Sequence, residues 1–79
     1  MTTHKLKTWP IFFDAVETGH KRFEIRNNDR QFQIGDLVIL QEYDPEDKLL
    51  TGLEWSGEIT YITEFQQKPG YVVFGMREV

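Results

Sequence analysis

The segment Gly19–Arg26 holds the densest group of side chains that could bind or transform a ligand. Its candidate site residues are Lys21, Glu24 and Arg26. Nearby positive charge favours the ionised form of a carboxylate, and arginine offers a planar fork for phosphate or a face on which a base can stack. These residue types predict a site that holds a polar ligand by matched donors and an acceptor.

The same spacing is also typical of a solvated strand face. Arg22, Glu24 and Arg26 alternate with Phe23 and Ile25, which is the pattern of a strand with one polar and one apolar side. On this interpretation, Phe23 and Ile25 face the core, and the charged side chains form exposed ion pairs worth about 0–1 kcal/mol each. Which of Arg22 and Arg26 would face a ligand depends on a register that a β-bulge can change.

A helix is predicted just before this segment, over about residues 9–18. Thr8 is placed to cap its N-terminus, Pro10 fits its first turn, and Gly19 is placed to end it. The apolar positions that share one helical face are Trp9, Phe12, Phe13 and Val16.

The rest of the chain predicts strands. The run 37–40 is entirely apolar, which indicates a strand buried on both sides. The strand signals lie at residues 5–7, 22–26, 37–40, 58–65 and 71–74, and turn residues separate them at 27–29, 35–36, 44–47 and 68–70. One early helix and about five strands predict a mainly β protein, a small barrel or strongly curved sheet closed at one end by the helix.

Composition limits the other possibilities. The 79 residues, 39% hydrophobic and 28% charged, predict one globular domain over residues 1–79. The absence of cysteine excludes disulfides, cysteine-bound zinc and thiol nucleophiles. We expect no signal peptide, membrane span, cofactor or metal, and a cytoplasmic location. His4 and His20 lack a metal-ligand spacing and are expected on the solvated surface.

Charge is unevenly distributed along the chain. Residues 1–30 hold six basic and four acidic side chains, a net charge of +2, whereas residues 31–79 hold three basic and nine acidic ones, a net charge of −6. A net acidic chain is unsuited to coating nucleic acid non-specifically, but a local basic site remains compatible with a specific anionic ligand. The acidic C-terminal half is also a candidate surface for a protein partner.

The spacing Gly19-x-Lys21-x-x-Glu24-x-Arg26, followed by the turn Gly35-Asp36 and an apolar strand, resembles the signature of the ASCH domain, a PUA-like β-barrel. The chain is most similar to a bacterial and phage-associated subgroup, the DUF3850 proteins. Besides that spacing, the resembling segments are 6–10, 13–16, 23–30, 43–45, 51–52, 60–61 and 69–73.

The resemblance implies a small PUA-like barrel closed by an N-terminal helix. It places the signature residues in a cleft between helix and sheet and implies RNA, a nucleotide or a modified nucleoside as the ligand. The implied binding residues are Lys21, Glu24 and Arg26, with Lys7, Thr8 and Trp9 as neighbours at the start of the helix.

Some ASCH relatives resemble amidohydrolases that deacetylate N4-acetylcytidine. They match this chain at Lys21, but they carry a threonine nucleophile where it has Glu24 and a catalytic glutamate in a late helical insertion. Only residues 66–70 connect the last two predicted strands here. A hydrolase with Glu24 as general base and Lys21 stabilising an oxyanion stays an alternative, while these departures favour a binding module.

Aromatic side chains are divided between core and stacking roles. A small barrel needs rings for its core, so Trp9 and the aromatic residues of the second half are first expected there. Tyr43 and Trp55 flank polar turns and are the better candidates for stacking on a base, whereas Tyr61 and Tyr71 are expected in the core. Arg30 follows a turn and is expected to be a solvated charge.

Overall fold

The computed structural model describes all residues from Met1 to Val79. In chain order, its elements are β1 (Thr3–Thr8), α1 (Pro10–Glu17), β2 (Phe23–Asn27), β3 (Leu37–Asp44), β4 (Leu49–Thr63) and β5 (Tyr71–Glu78). The protein is therefore mainly β with one short helix, as predicted. Strands β3, β4 and β5 extend beyond the predicted runs.

The five strands form one sheet in the order β1-β3-β4-β5-β2. Strand β1 pairs in parallel with β3, and the other neighbours are antiparallel. Side chains bridge the two edge strands, β1 and β2. Arg26 of β2 donates to the carbonyl of Lys7 at 3.1 Å, and Arg30, in the turn after β2, donates to the carbonyl of Lys5 at 2.9 Å. The sheet is thus curled into a half-barrel with an open seam between β1 and β2.

Helix α1 begins one residue later and ends one residue earlier than predicted. Thr8 does not cap it, because Thr8 still belongs to β1 and its side chain points inward. Trp9 occupies the N-cap position without a side-chain cap bond, and Pro10 opens the helix. With eight residues, α1 is too short to cross a membrane, and the structure has no longer helix that would.

The end of α1 follows the prediction for Gly19. Its φ of 85° is in the left-handed region that glycine adopts without strain, and its amide donates to the carbonyl of Val16 at 3.0 Å. The amide of Lys21 then donates to the carbonyl of Ala15 at 2.9 Å. The helix end therefore fixes the backbone from which the Lys21 side chain extends.

The core lies on the concave side of the half-barrel, under α1. Only half of the predicted helical face belongs to it: Phe13 and Val16 are buried, whereas Trp9 and Phe12 are 55% and 48% exposed. The run 37–40 is buried on one side only, because the convex side of the sheet has no second layer. The buried hydrophobic residues are Leu6, Phe13, Val16, Phe32, Val38, Leu40, Trp55, Ile59, Val72, Phe74 and Met76.

The alternation of β2 is as predicted, but its two faces are exchanged. Glu24 is only 4% exposed, whereas Phe23 and Ile25 are 44% and 53% exposed. The prediction that Phe23 and Ile25 face the core is therefore wrong. A carboxylate can occupy the inner face only because cations come with it, and those cations are the basis of the site.

Candidate ligand-binding cleft

A cleft of about 860 Å³ lies at the seam, where the end of β1 and the start of α1 meet β2. It is lined by Lys7, Thr8, Trp9, Phe12, Lys21, Phe23, Glu24, Ile25, Arg26 and Tyr71. The structure brings together all the residues that the sequence analysis selected for binding: Lys7, Trp9, Lys21, Glu24 and Arg26. They come from the two edge strands and from the residues that flank the helix between them, so the fold rather than sequence proximity assembles the cleft.

Lys21, Glu24 and Arg26 form the charged floor of the cleft, and Glu24 is at its centre. Oε1 accepts hydrogen bonds from Arg26 Nε at 3.0 Å and Arg26 Nη2 at 2.8 Å. Oε2 accepts a hydrogen bond from Lys21 Nζ. Two cations thus compensate one buried carboxylate, and the cluster Lys21–Glu24–Arg26 carries a formal charge of +1.

Arg26, not Arg22, faces the cleft. Its Nη2 also donates to the hydroxyl of Thr8 at 3.2 Å, which ties the floor to β1. Arg22 is exposed and precedes β2; its Nε donates to the carbonyl of Gly19 at 3.3 Å, and it does not line the cleft. Arg22 and Arg26 are both two residues from Glu24, so the choice that the sequence left open is settled by the hydrogen bonds of Arg26 to Lys7 and Thr8.

The cluster Lys21–Glu24–Arg26 keeps unused hydrogen-bonding capacity. A carboxylate has about four acceptor positions, and Glu24 uses three. Lys21 donates to Glu24 and to the carbonyl of Phe23 at 2.6 Å, which leaves one of its three N–H groups. Arg26 makes no hydrogen bond through Nη1. One acceptor and three donors are thus available to a ligand.

Aromatic side chains form the walls of the cleft. The rings of Trp9 and Phe12 are stacked, with centroids 6.4 Å apart and an interplanar angle of 21°. Lys21 Nζ lies 4.9 Å from the ring centroid of Phe23 and 5.9 Å from that of Phe12, so cation–π attraction helps to position it. Tyr71, on β5, completes the walls. A planar, apolar-faced ligand that is polar at its edge matches these surroundings.

Sequence reasoning missed four lining residues, Phe12, Phe23, Ile25 and Tyr71. Each was assigned to the core because apolar residues at regular spacing normally lie there. The exchange of the two faces of β2 explains why Phe23 and Ile25 line the cleft instead of the core. Local spacing contains no signal for this exchange, because alternation defines which residues share a face but not which face is covered.

His4 is a second correction, because it is buried rather than solvated. Its Nε2 donates to Asp36 Oδ2 at 2.8 Å, and its ring packs edge-on against Phe32 with centroids 4.7 Å apart. This hydrogen bond, together with those from the amides of Thr2 and Gln33, holds the pKa of the Asp36 carboxyl below its usual value, although burial opposes the shift. His20 is exposed, as predicted.

The positions of Tyr43, Trp55, Tyr61 and Arg30 agree only partly with the predictions. Trp55 is in the core, as first expected, although the neighbouring turn also made it a candidate for stacking. Tyr61, expected in the core, is exposed, and Tyr43 is half-buried. Arg30 is exposed as predicted, but its guanidinium is held by a β1 carbonyl. No group of three or more histidine, cysteine or acidic side chains is placed to hold a metal ion.

Fold and cleft together define a small half-barrel domain whose open seam forms a pocket with aromatic walls and a charged floor. Within that class, the chain belongs to the DUF3850 family, described as a domain of unknown function, whose model matches residues 3–76. It is 36% identical over 61 residues to the uncharacterized 12.9 kDa protein in the GpA 3′ region of Escherichia phage P2. The match covers 77% of this chain and 54% of the phage protein, so the chain spans about half of that relative's length.

Proposed function

We propose that the cleft binds a nucleotide or an RNA base, and that the protein is an RNA- or nucleotide-binding module. The observation that carries this proposal is the combination of aromatic walls with a charged floor that retains one acceptor and three donors. Stacking of a base on an aromatic side chain contributes about 1–3 kcal/mol. Single-stranded RNA is commonly recognised by such stacking, with hydrogen bonds to the base edge.

The charged floor supplies selectivity in this proposal. Glu24 Oε2 accepts from an amino or imino group of the base, and Arg26 Nη1 donates to a base carbonyl or ring nitrogen. A ligand without the matching donor leaves a buried acceptor unpaired, which costs about 1–3 kcal/mol. We also infer that the half-barrel is a PUA-like barrel of the ASCH type; the position of Lys21, Glu24 and Arg26 in one cleft beside the helix supports this. We propose a cytoplasmic location as well, since a chain without cysteine fits a reducing compartment.

Matched tyrosine variants test the proposal. Tyr71 lines the cleft, whereas Tyr61 is exposed elsewhere on the sheet. We expect calorimetric titration to detect binding of at least one nucleoside monophosphate or short single-stranded RNA. Tyr71→Ala should weaken that binding about fivefold or more, the equivalent of one lost stack, whereas Tyr61→Ala should leave it unchanged.

Two results would overturn the proposal. If no nucleotide, modified nucleoside or RNA binds, the acidic C-terminal half becomes the place to look for a protein partner. If chromatography recovers a chemically altered ligand such as deacetylated N4-acetylcytidine, the protein is a hydrolase. The geometry does not favour the hydrolase, because all but one acceptor position of Glu24 is already occupied.

A further inference from the structure

Three basic side chains lie along the outer side of the seam, beside the cleft. Lys5 and Lys7 are two residues apart on β1 and both exposed, so they project from the same face. Arg30 is exposed and is held across the seam by the carbonyl of Lys5. Lys7 belongs to both regions, because it also lines the cleft.

None of these three cations forms an ion pair. The four ion pairs of the protein involve His4, Lys21, Arg26 and Arg77 as the basic partners. On the outer face of the neighbouring strand, the residues opposite Lys5 and Lys7 are Ile39 and Gln41, which carry no charge. Three acidic side chains come next along these segments. Glu42 lies opposite Thr8 and accepts a hydrogen bond from Thr51, Glu54 is hydrogen-bonded to Gln41, and Asp29 precedes Arg30 in the turn.

This arrangement differs from that of the cleft floor. There, Lys21 and Arg26 are engaged with Glu24, so they are suited to reading a base edge more than to neutralising a phosphate. The unpaired cations begin where the cleft ends and continue along β1, where two residues rise by about 6.6 Å. That step is comparable to the separation of successive phosphates in an extended polynucleotide strand.

We propose that Lys5, Lys7 and Arg30 form a phosphate track that receives the backbone of a single-stranded nucleic acid while one of its bases occupies the cleft. This inference rests on the proposed function and narrows it from a free nucleotide to a polymer. The strand must be single, because a base paired and stacked within a duplex cannot enter the cleft.

Salt dependence separates the track from the cleft. The logarithm of the affinity for single-stranded RNA falls by about 0.7 per phosphate contact for each tenfold increase in salt. We expect a pentanucleotide to bind the wild-type protein more tightly than the matching nucleoside monophosphate. The double variant Lys5→Gln/Arg30→Gln should make the salt slope shallower by about 1.4, the equivalent of two contacts, with monophosphate binding unchanged.

The matched control is Lys48→Gln/Arg77→Gln, which also removes one lysine and one arginine, from exposed positions that lie on neither β1 nor β2 and do not line the cleft. It should leave the slope for the pentanucleotide unchanged. Circular dichroism and thermal unfolding of each variant show whether loss of the Arg30 hydrogen bond to β1 alters the fold. The single variant Lys5→Gln removes no such bond and should still change the salt slope by about 0.7.

The outcomes distinguish this inference from the proposed function. Two results would contradict the phosphate track but not nucleotide binding in the cleft. The first is a monophosphate that binds as tightly as the pentanucleotide, and the second is an equal change of the salt slope in both double variants. If duplex RNA or long-chain polyphosphate binds as tightly as the pentanucleotide, the cations act without a base in the cleft, and the inference fails. If neither nucleotide nor RNA binds, both proposals fall.

Discussion

Glu24 and Asp36 are buried to almost the same extent, 4% and 5% exposed, and each accepts three hydrogen bonds. Asp36 receives them from two backbone amides and from His4, which is itself buried. Glu24 receives them from two long side chains, Lys21 and Arg26, that reach the surface of the cleft. The two carboxylates therefore differ in what holds them rather than in how deeply they lie.

This difference separates a structural site from a candidate binding site. The partners of Asp36 are Gln33 in the segment before β3, His4 in β1 and Thr2 just before β1, so its hydrogen bonds fasten the first residues of the chain to the sheet. The partners of Glu24 keep unused donors, and both line the open cleft. Depth of burial alone would have ranked the two acids equally, whereas the nature of the partners assigns them different roles.

The largest expected effect is that of Glu24→Ala on stability. Removing the carboxylate leaves Lys21 and Arg26 facing each other without compensation, and removal of one partner of a buried ion pair costs about 3–5 kcal/mol. Urea unfolding should show a decrease of this size in the free energy of unfolding. A decrease below about 1 kcal/mol would mean that water solvates the cluster, as at an exposed ion pair.

Asp36→Asn is expected to cost less, about 1–3 kcal/mol. The amide group keeps one acceptor but turns a donor toward a backbone N–H or toward His4, which leaves a buried donor unpaired. Urea unfolding measures the loss in the free energy of unfolding, and ligand titration shows whether Asp36, unlike Glu24, is dispensable for binding. Because Asp36 does not line the cleft, its variant should bind with wild-type affinity once folded, and weaker binding would contradict the separation of the two sites.

Acid unfolding tests the contribution of the Asp36 carboxylate to stability. The lowered pKa of Asp36, caused first by the hydrogen bond from His4, means that the folded protein binds this proton less readily than the unfolded chain. The resulting stability is complete above the unfolded pKa of about 3.9 and is lost as the pH falls through the lower folded value. The urea midpoint should therefore fall with pH less steeply in Asp36→Asn than in wild type. Asp14→Asn, at an exposed position of α1, should retain the wild-type steepness.

The same comparison shows what the sequence could predict. The helix, the five strands, the turn at Gly19 and the grouping of Lys21, Glu24 and Arg26 depend on local spacing or on the stated resemblance, and the structure contains them all. Burial was predicted less well. The partner of His4 lies 32 residues away, so a local pattern could not distinguish it from a surface histidine.

The inward position of Glu24 has a similar cause. It depends on Arg26 reaching the carbonyl of Lys7 and the hydroxyl of Thr8 across a seam between strands that are not paired. An alternating strand normally turns its apolar face inward, and that rule fails here because the seam leaves Phe23 and Ile25 uncovered. The most misleading segment for fold prediction is therefore also the one that builds the cleft.

The smallest expected change in stability is the most informative about the cleft. The triple variant Lys21→Met/Glu24→Leu/Arg26→Met replaces the whole charged floor with apolar side chains of similar size. Replacement of a complete buried ion-pair cluster in this way is often neutral or stabilising, so its free energy of unfolding should lie within about 1 kcal/mol of wild type or above it. Since the aromatic walls remain, any residual affinity for a nucleotide measures stacking alone, and we expect selectivity among bases to be lost. An unfolded triple variant would show that the charges are needed for the fold, and unchanged selectivity would show that they do not contact the ligand.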